Sequence, residues 1–76
     1  MKLLLSIAPY RFEQLLKHHY QHLSKYEFDF MVSMLVKCEQ QQSITQRQYD
    51  FCHDLIGRLK VYDRLQNNTT MELNNG

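Results

Sequence analysis

Apolar residues recur at helical spacing in the first third of the chain. Pro9 favours a helix start, because a residue without a backbone N–H loses nothing at the first helical position. The stripe that follows repeats every three or four residues, which is the pattern of one buried helix face. Its members are Phe12, Leu15, Leu16, His19 and Leu23. The pattern predicts a first helix that begins at about residue 8 or 9 and buries this stripe.

Two capping boxes mark the starts of two further helices. Ser24 and Glu27 form an S-x-x-E box, in which the serine side chain accepts from a backbone N–H and the glutamate reaches back to the cap residue. Thr45 and Gln48 repeat the arrangement as T-x-x-Q. The boxes, together with the apolar spacing that follows each of them, predict two helices joined by short links, over residues 25–40 and 46–65.

The second predicted helix carries apolar residues on two sides. The side expected to face the core consists of Phe28, Met31, Val32, Leu35 and Cys38. The other side holds Tyr26, Phe30 and Met34. A helix that is apolar on two sides is either central in its domain or partly covered by a partner.

Gly57 lies inside the third predicted helix. Glycine in a helix interior costs about 1 kcal/mol relative to alanine. The glycine either permits a close contact with another helix or is simply tolerated by the fold.

The chain length and composition favour one small all-α domain. A chain of 76 residues is near the size at which a single core barely outweighs the entropy of ordering. Two glycines and one proline are too few for a turn-rich β fold. We predict a small three-helix bundle over residues 1–65 and, because residues 66–76 are polar and aperiodic, a disordered C-terminal tail. Residues 1–7 could extend the first helix, lie across the bundle or form a strand on a partner.

Charge and cysteine content indicate a cytoplasmic protein. The net charge of +1 gives no global attraction to nucleic acid or to an anionic membrane. The apolar run near the start is cut by Pro9, Tyr10 and Arg11, so it is shorter than the core of a usual signal peptide. No stretch is long enough to span a bilayer. Cys38 and Cys52 are expected to be reduced thiols, and we predict no membrane partner.

Residues 23–59 resemble a known module. Leu23-Ser24-Lys25-Tyr26-Glu27 matches a Leu-Ser-x-aromatic-Glu opening, and Ile44-Thr45-Gln46-Arg47-Gln48 is similar to a later Leu-Thr/Ser-x-Lys/Arg-Gln opening. Both openings occur in a short helical module of phage and bacterial nucleic-acid-handling proteins. The resemblance implies a phage or mobile-element origin and a role beside replication, repair or defence machinery. It identifies no active-site residue.

Two residue sets have spacings found in functional sites. His18 and His22 are one helical turn apart, as in zinc sites, but without a C-x-x-C pair such histidines are usually solvated surface residues. Arg47 and His53 have the spacing seen in a ribonuclease family of helical nucleotide-binding domains, yet this spacing is common by chance. No phosphate loop or nucleophile elbow occurs. We therefore predict no metal, no cofactor and no enzyme activity.

Basic residues concentrate in the third predicted helix, and they provide an alternative function. Direct nucleic-acid binding would use the four residues Arg47, Arg58, Lys60 and Arg64. Acidic residues interrupt this series at Asp50, Asp54 and Asp63. Nucleic-acid contact is accordingly the second hypothesis, behind protein binding.

The leading hypothesis is a protein-interaction module that docks on a larger protein or ribonucleoprotein complex. A phage-encoded inhibitor of a CRISPR-type defence complex is one concrete form. Large apolar side chains supply much of the energy of small interfaces. The predicted anchors are Tyr10, Tyr20, Tyr26, Phe30 and Met34. A third hypothesis is a homodimer in which the second helices pair through Phe30 and Met34.

Overall fold

Three α-helices form the body of the molecule, as the sequence predicts. The computed structural model describes residues 3–66. The third helix is bounded at Asn75, and the predicted disordered tail, apart from Gln66, lies outside the described residues. The helices are α1 (Pro9–His19), α2 (Lys25–Glu39) and α3 (Gln46–Asn75), with a short 3-10 turn at Tyr20–His22. Over residues 3–66 there is no β-strand, and none of the helices has the length and apolar character of a membrane span.

Both predicted capping boxes are present with both of their hydrogen bonds. The Glu27 N–H donates to Ser24 Oγ at 3.1 Å, and the Ser24 N–H donates to Glu27 Oε1 at 2.9 Å. At the start of α3 the Gln48 N–H donates to Thr45 Oγ1 and the Thr45 N–H to Gln48 Oε1, each at 3.0 Å. These bonds satisfy N–H groups that a helix start leaves without partners, so they fix where α2 and α3 begin.

The link between α2 and α3 is closed by a left-handed residue. Gln41 has φ 55, a conformation that residues with a Cβ adopt at some strain. It allows the Gln42 N–H to donate to the Lys37 carbonyl oxygen at 2.9 Å, which satisfies one of the last carbonyls of α2. The chain therefore turns sharply before the next capping box.

The core lies between the three helices and includes Ile44 from the α2–α3 link. Its buried apolar residues are Phe12, Leu15, Leu16, Met31, Met34, Ile44, Cys52, Leu55, Ile56 and Leu59. The predicted α1 stripe is confirmed from Phe12 to His19, whereas Leu23 is only half-buried.

The predicted core face of α2 is partly wrong. Val32 was expected to be buried but is exposed, whereas Met34, expected on the outer side, is 2% exposed. Because α2 is apolar around most of its circumference, helical spacing alone cannot decide which side turns inward. The flexible methionines Met31 and Met34 fill the space against α1 and α3.

The segment before α1 lies across the bundle in an extended conformation. Leu3, Leu5 and Ile7 are half-buried, while the residues between them are exposed, which is the alternation of an extended chain with one packed side. The Ile44 N–H donates to the Leu3 carbonyl oxygen at 2.9 Å, and the Cys38 thiol lies 3.4 Å from the Ile7 carbonyl oxygen. Of the three alternatives for this segment, the structure selects the one in which it crosses the bundle.

Candidate interaction surfaces

A buried polar contact joins α1 to α3. His19 is 2% exposed, and its Nε2 lies 3.0 Å from Asp63 Oδ1. The other carboxylate oxygen of Asp63 accepts from Arg11 Nη2 at 3.3 Å. The hydrogen bond from His19, aided by that from Arg11, lowers the pKa of Asp63 below its ordinary value. A histidine and a carboxylate can form a catalytic pair, but this ring is enclosed, so the contact serves to hold the helices together.

The two histidines with the spacing of a zinc site are engaged in other contacts. His18 Nε2 lies 3.1 Å from Gln14 Oε1, and the His22 ring stacks on Tyr62 with centroids 3.7 Å apart. Because α1 ends at His19, His18 and His22 do not share one continuous α-helix. Within residues 3–66 no group of three or more metal-ligating side chains comes together.

The two cysteines are free thiols of low reactivity. Cys52 is fully buried, and burial raises the pKa of its thiol to about 12. Burial also raises the pKa of Cys38, which is half-buried. The thiolate is the reactive form, so neither side chain has the environment of a catalytic nucleophile at neutral pH.

Arg47 and His53, the pair with ribonuclease-like spacing, are not brought together. Six positions along α3 place them roughly 120° apart around the helix axis. His53 instead lies parallel to the Tyr49 ring, with centroids 5.9 Å apart and an interplanar angle of 13°. Arg47 lies beside Phe51 on another side of α3.

An open cluster of aromatic rings lies between α2 and α3. Phe51 is 4.7 Å from Phe30 and 6.3 Å from Tyr26, measured between ring centroids. Phe30 and Phe51 are half-buried, whereas Tyr26 is 74% exposed. Together with Arg47 and Gln48 these rings line a shallow depression of about 460 Å³. We call this surface, defined by Tyr26, Phe30, Phe51, Arg47 and Gln48, the aromatic cluster.

A second apolar surface lies between α1 and α2. Leu16, Tyr20, Phe28 and Leu35 line a groove of about 310 Å³, in which the Tyr20 and Phe28 rings meet edge to face at 5.9 Å. Glu13 and Lys17 also border it. It is smaller than the aromatic cluster.

The predicted anchor residues therefore have different fates. Tyr26 and Phe30 belong to the aromatic cluster, and Tyr20 belongs to the α1–α2 groove. Tyr10 is 72% exposed and lines neither surface. The assignment of Met34 is wrong, because its side chain fills the core between the helices. The homodimer predicted through Phe30 and Met34 loses one of its two contacts for the same reason.

The four basic residues predicted for nucleic-acid binding do not form one patch. Helical geometry places Arg47 and Arg58 on one side of α3, and Lys60 and Arg64 roughly 100° or more away. Arg58 Nη1 also donates to Glu27 Oε2 at 3.2 Å. A hydrogen bond from the Ser24 backbone, followed by the charge of Arg58, lowers the pKa of Glu27. The side of α3 that carries Arg47 and Arg58 thus has less unpaired positive charge than the sequence suggests.

A larger cleft lies on the opposite side of α3 from the aromatic cluster. Its volume is about 550 Å³, and its walls are residues 5–8 and the start of α1 on one side and α3 on the other. Arg11, Tyr49, His53 and Lys60 line it, and we call it the cationic cleft.

Gly57 lies at the surface of this cleft. No atom outside the adjoining residues and backbone of α3 comes within 4 Å of the position that a Cβ would take there, so the close helix contact considered for this residue is absent. Sequence reasoning missed the cleft itself, although the unexplained glycine was a signal of it.

Comparison of the chain with family models, with curated proteins and with solved structures found no match.

Proposed function

We propose that this chain is a protein-interaction module that docks through the aromatic cluster. The observation that carries the proposal is the group of Tyr26, Phe30 and Phe51, three rings in contact on an open surface beside Arg47. Aromatic and arginine side chains are the residue types that dominate the energy of small interfaces. A matching partner offers an apolar projection that fits the depression and an acidic group near Arg47.

The remaining chemistry of the described residues supports a binding role. The enclosed histidine contacts Asp63 inside the domain, the thiols have raised pKa values, and Arg47 and His53 point to different sides of α3. A module of this kind acts by occupying a surface that its partner needs. The concrete form we propose is a phage-encoded inhibitor that docks on a nucleic-acid-processing or defence complex of the CRISPR type.

Inhibition of purified CRISPR-type complexes tests this form directly. Target-DNA binding by each complex is measured with and without the chain, and we expect the chain to reduce DNA binding by one of them. Tyr26→Ala should weaken the inhibition, with a loss of about 2 kcal/mol in binding free energy if Tyr26 is a central anchor. Because Tyr26 is 74% exposed, the variant should remain folded.

Tyr10→Ala is the matched control, since it removes an equally exposed tyrosine that lines neither apolar surface. Inhibition retained by Tyr10→Ala and lost by Tyr26→Ala supports docking through the aromatic cluster. Full inhibition by Tyr26→Ala would mean that docking uses another surface. No inhibition by the wild-type chain would exclude the inhibitor form.

Direct nucleic-acid binding remains the alternative proposal. It would involve Lys60 and Arg64 on one side of α3, because Arg58 is paired with Glu27. Binding to labelled DNA or RNA should then fall as salt rises, and Arg64→Ala should reduce it. Binding that is affected neither by salt concentration nor by Arg64→Ala would exclude this alternative.

A further inference from the structure

We propose that the cationic cleft binds a nucleotide, with its phosphate at Arg11 and Lys60 and its base against the rings of Tyr49 and His53. The cleft lies on the other side of α3 from the aromatic cluster, so its occupancy does not depend on protein docking. A nucleoside monophosphate is the simplest ligand of this chemistry.

The charges in the cleft favour an anion. None of the side chains that line it is acidic. Lys60 is exposed and has no ion-pair partner among residues 3–66. Arg11 uses Nη2 to bind Asp63, which leaves other N–H donors of the guanidinium for a ligand. A phosphate between these side chains would meet one cation from α1 and one from α3.

The rest of the cleft suits a flat, largely apolar body. The Tyr49 and His53 rings both line the cleft and are nearly parallel, with centroids 5.9 Å apart; Tyr49 is half-buried and His53 is exposed. Leu5 and Ile7 form part of the opposite wall. Every nucleobase has a flat π-face, so any base can stack favourably on an aromatic side chain. A volume of about 550 Å³ lies within the range of small-molecule sites.

Gly57 provides independent support for a ligand in this cleft. Its backbone is not in the left-handed region, and no neighbouring atom approaches the position of a Cβ. Neither backbone conformation nor packing therefore requires glycine, although alanine is more favourable in a helix interior. The structural effect of the missing side chain is to deepen the cleft between Arg11, His53 and Lys60.

Titration of the isotope-labelled full chain with adenosine 5′-monophosphate, followed by NMR, tests the inference. We expect saturable shifts of the amides near Gly57 and Lys60, with a Kd of about 1 mM or tighter. Adenosine lacks the phosphate and ribose 5-phosphate lacks the base, so each should bind about tenfold more weakly or worse. Failure to saturate at about 10 mM nucleotide would overturn the proposal. So would binding of adenosine or of ribose 5-phosphate with the same affinity as the nucleotide.

Two variants and one control locate the binding. Lys60→Gln should weaken nucleotide binding about tenfold, whereas Lys25→Gln, which removes an exposed lysine outside the cleft, should leave it unchanged. Gly57→Leu fills the cleft with a helix-favouring residue, so we expect an equal or higher Tm together with loss of binding. Equal weakening by the two lysine variants, or wild-type affinity in Gly57→Leu, would contradict a site in the cleft.

Discussion

The contact of α1 with α3 differs in kind from the contact of α2 with α3. The first combines the buried Phe12 side chain with the directional His19–Asp63 hydrogen bond, and the 3-10 turn after α1 adds the stacked rings of His22 and Tyr62. The second places half-buried aromatic rings near solvent. α1 is therefore positioned by contacts that each require one geometry, whereas the rings between α2 and α3 leave apolar surface uncovered.

This difference separates the part of the domain that maintains the fold from the part available to a partner. Directional polar contacts in an enclosed site favour one arrangement over near alternatives, because a displaced partner would leave a buried polar group unsatisfied. Aromatic rings in a shallow depression have no such requirement. We expect substitutions on the two sides of α3 to have different effects.

The largest expected effect is the loss of stability in Phe12→Ala. This fully buried ring packs in the core, and its truncation should cost about 3–5 kcal/mol through lost burial and a residual cavity. For a domain of this size that loss approaches the whole free energy of unfolding. Urea unfolding should show Phe51→Ala to be clearly less damaging, because Phe51 is half-buried. Similar losses of unfolding free energy in the two variants would contradict the proposed difference between the α1–α3 and α2–α3 contacts.

Removal of the acceptor for His19 should have the next largest effect. Asp63→Ala leaves a buried ring nitrogen without its partner, for which we expect a loss of about 1–3 kcal/mol in unfolding free energy. Asp63→Asn retains an acceptor oxygen without the charge, so it should lose less. Equal stability of wild type and Asp63→Ala would show that the contact contributes little.

The lowered pKa of Asp63 also predicts a pH dependence. A carboxyl group that releases its proton more readily in the folded state stabilises the fold above its unfolded pKa, near 4, and this contribution disappears as the pH falls through the folded pKa. The stability difference between wild type and Asp63→Asn should therefore be full at neutral pH and shrink in acid below about pH 4. A difference that grows in acid would have the wrong sign.

The smallest expected effect on stability is that of Tyr26→Ser. With 74% of Tyr26 exposed, unfolding free energy should change by no more than about 0.5 kcal/mol. Thermal unfolding measured beside Tyr10→Ser provides the comparison, since Tyr10 is equally exposed and lies outside the aromatic cluster. A much larger loss for Tyr26→Ser would assign the aromatic cluster to the core rather than to a docking surface.

The features that sequence analysis found are those determined within a few residues. Pro9 and the two capping boxes act on their own helix starts, so their effect does not depend on the rest of the fold. The single apolar stripe of α1 likewise had one solution, and Phe12 and Leu15 are buried as predicted.

The features that were missed depend on residues far apart in the chain. His19 and Asp63 are separated by 44 positions, and neither residue type indicates the other. Met34 and Val32 exchanged roles because α2 is apolar on several sides, and only the placement of α1 and α3 decides which side is enclosed. Phe51 was not among the predicted anchors, since its contact with Phe30 follows from how two helices meet.

Because the extended segment before α1 covers Cys38, the two thiols become exposed through different motions of the chain. Cys38 lies under the Ile7 carbonyl, so a local opening that lifts this segment is enough to expose its sulfur. Cys52 lies at the centre of the bundle and becomes accessible only when the helices separate. Thiol exchange at Cys38 thus reports partial opening, and exchange at Cys52 reports global unfolding. The two native thiols can therefore serve as probes of local opening and of global unfolding.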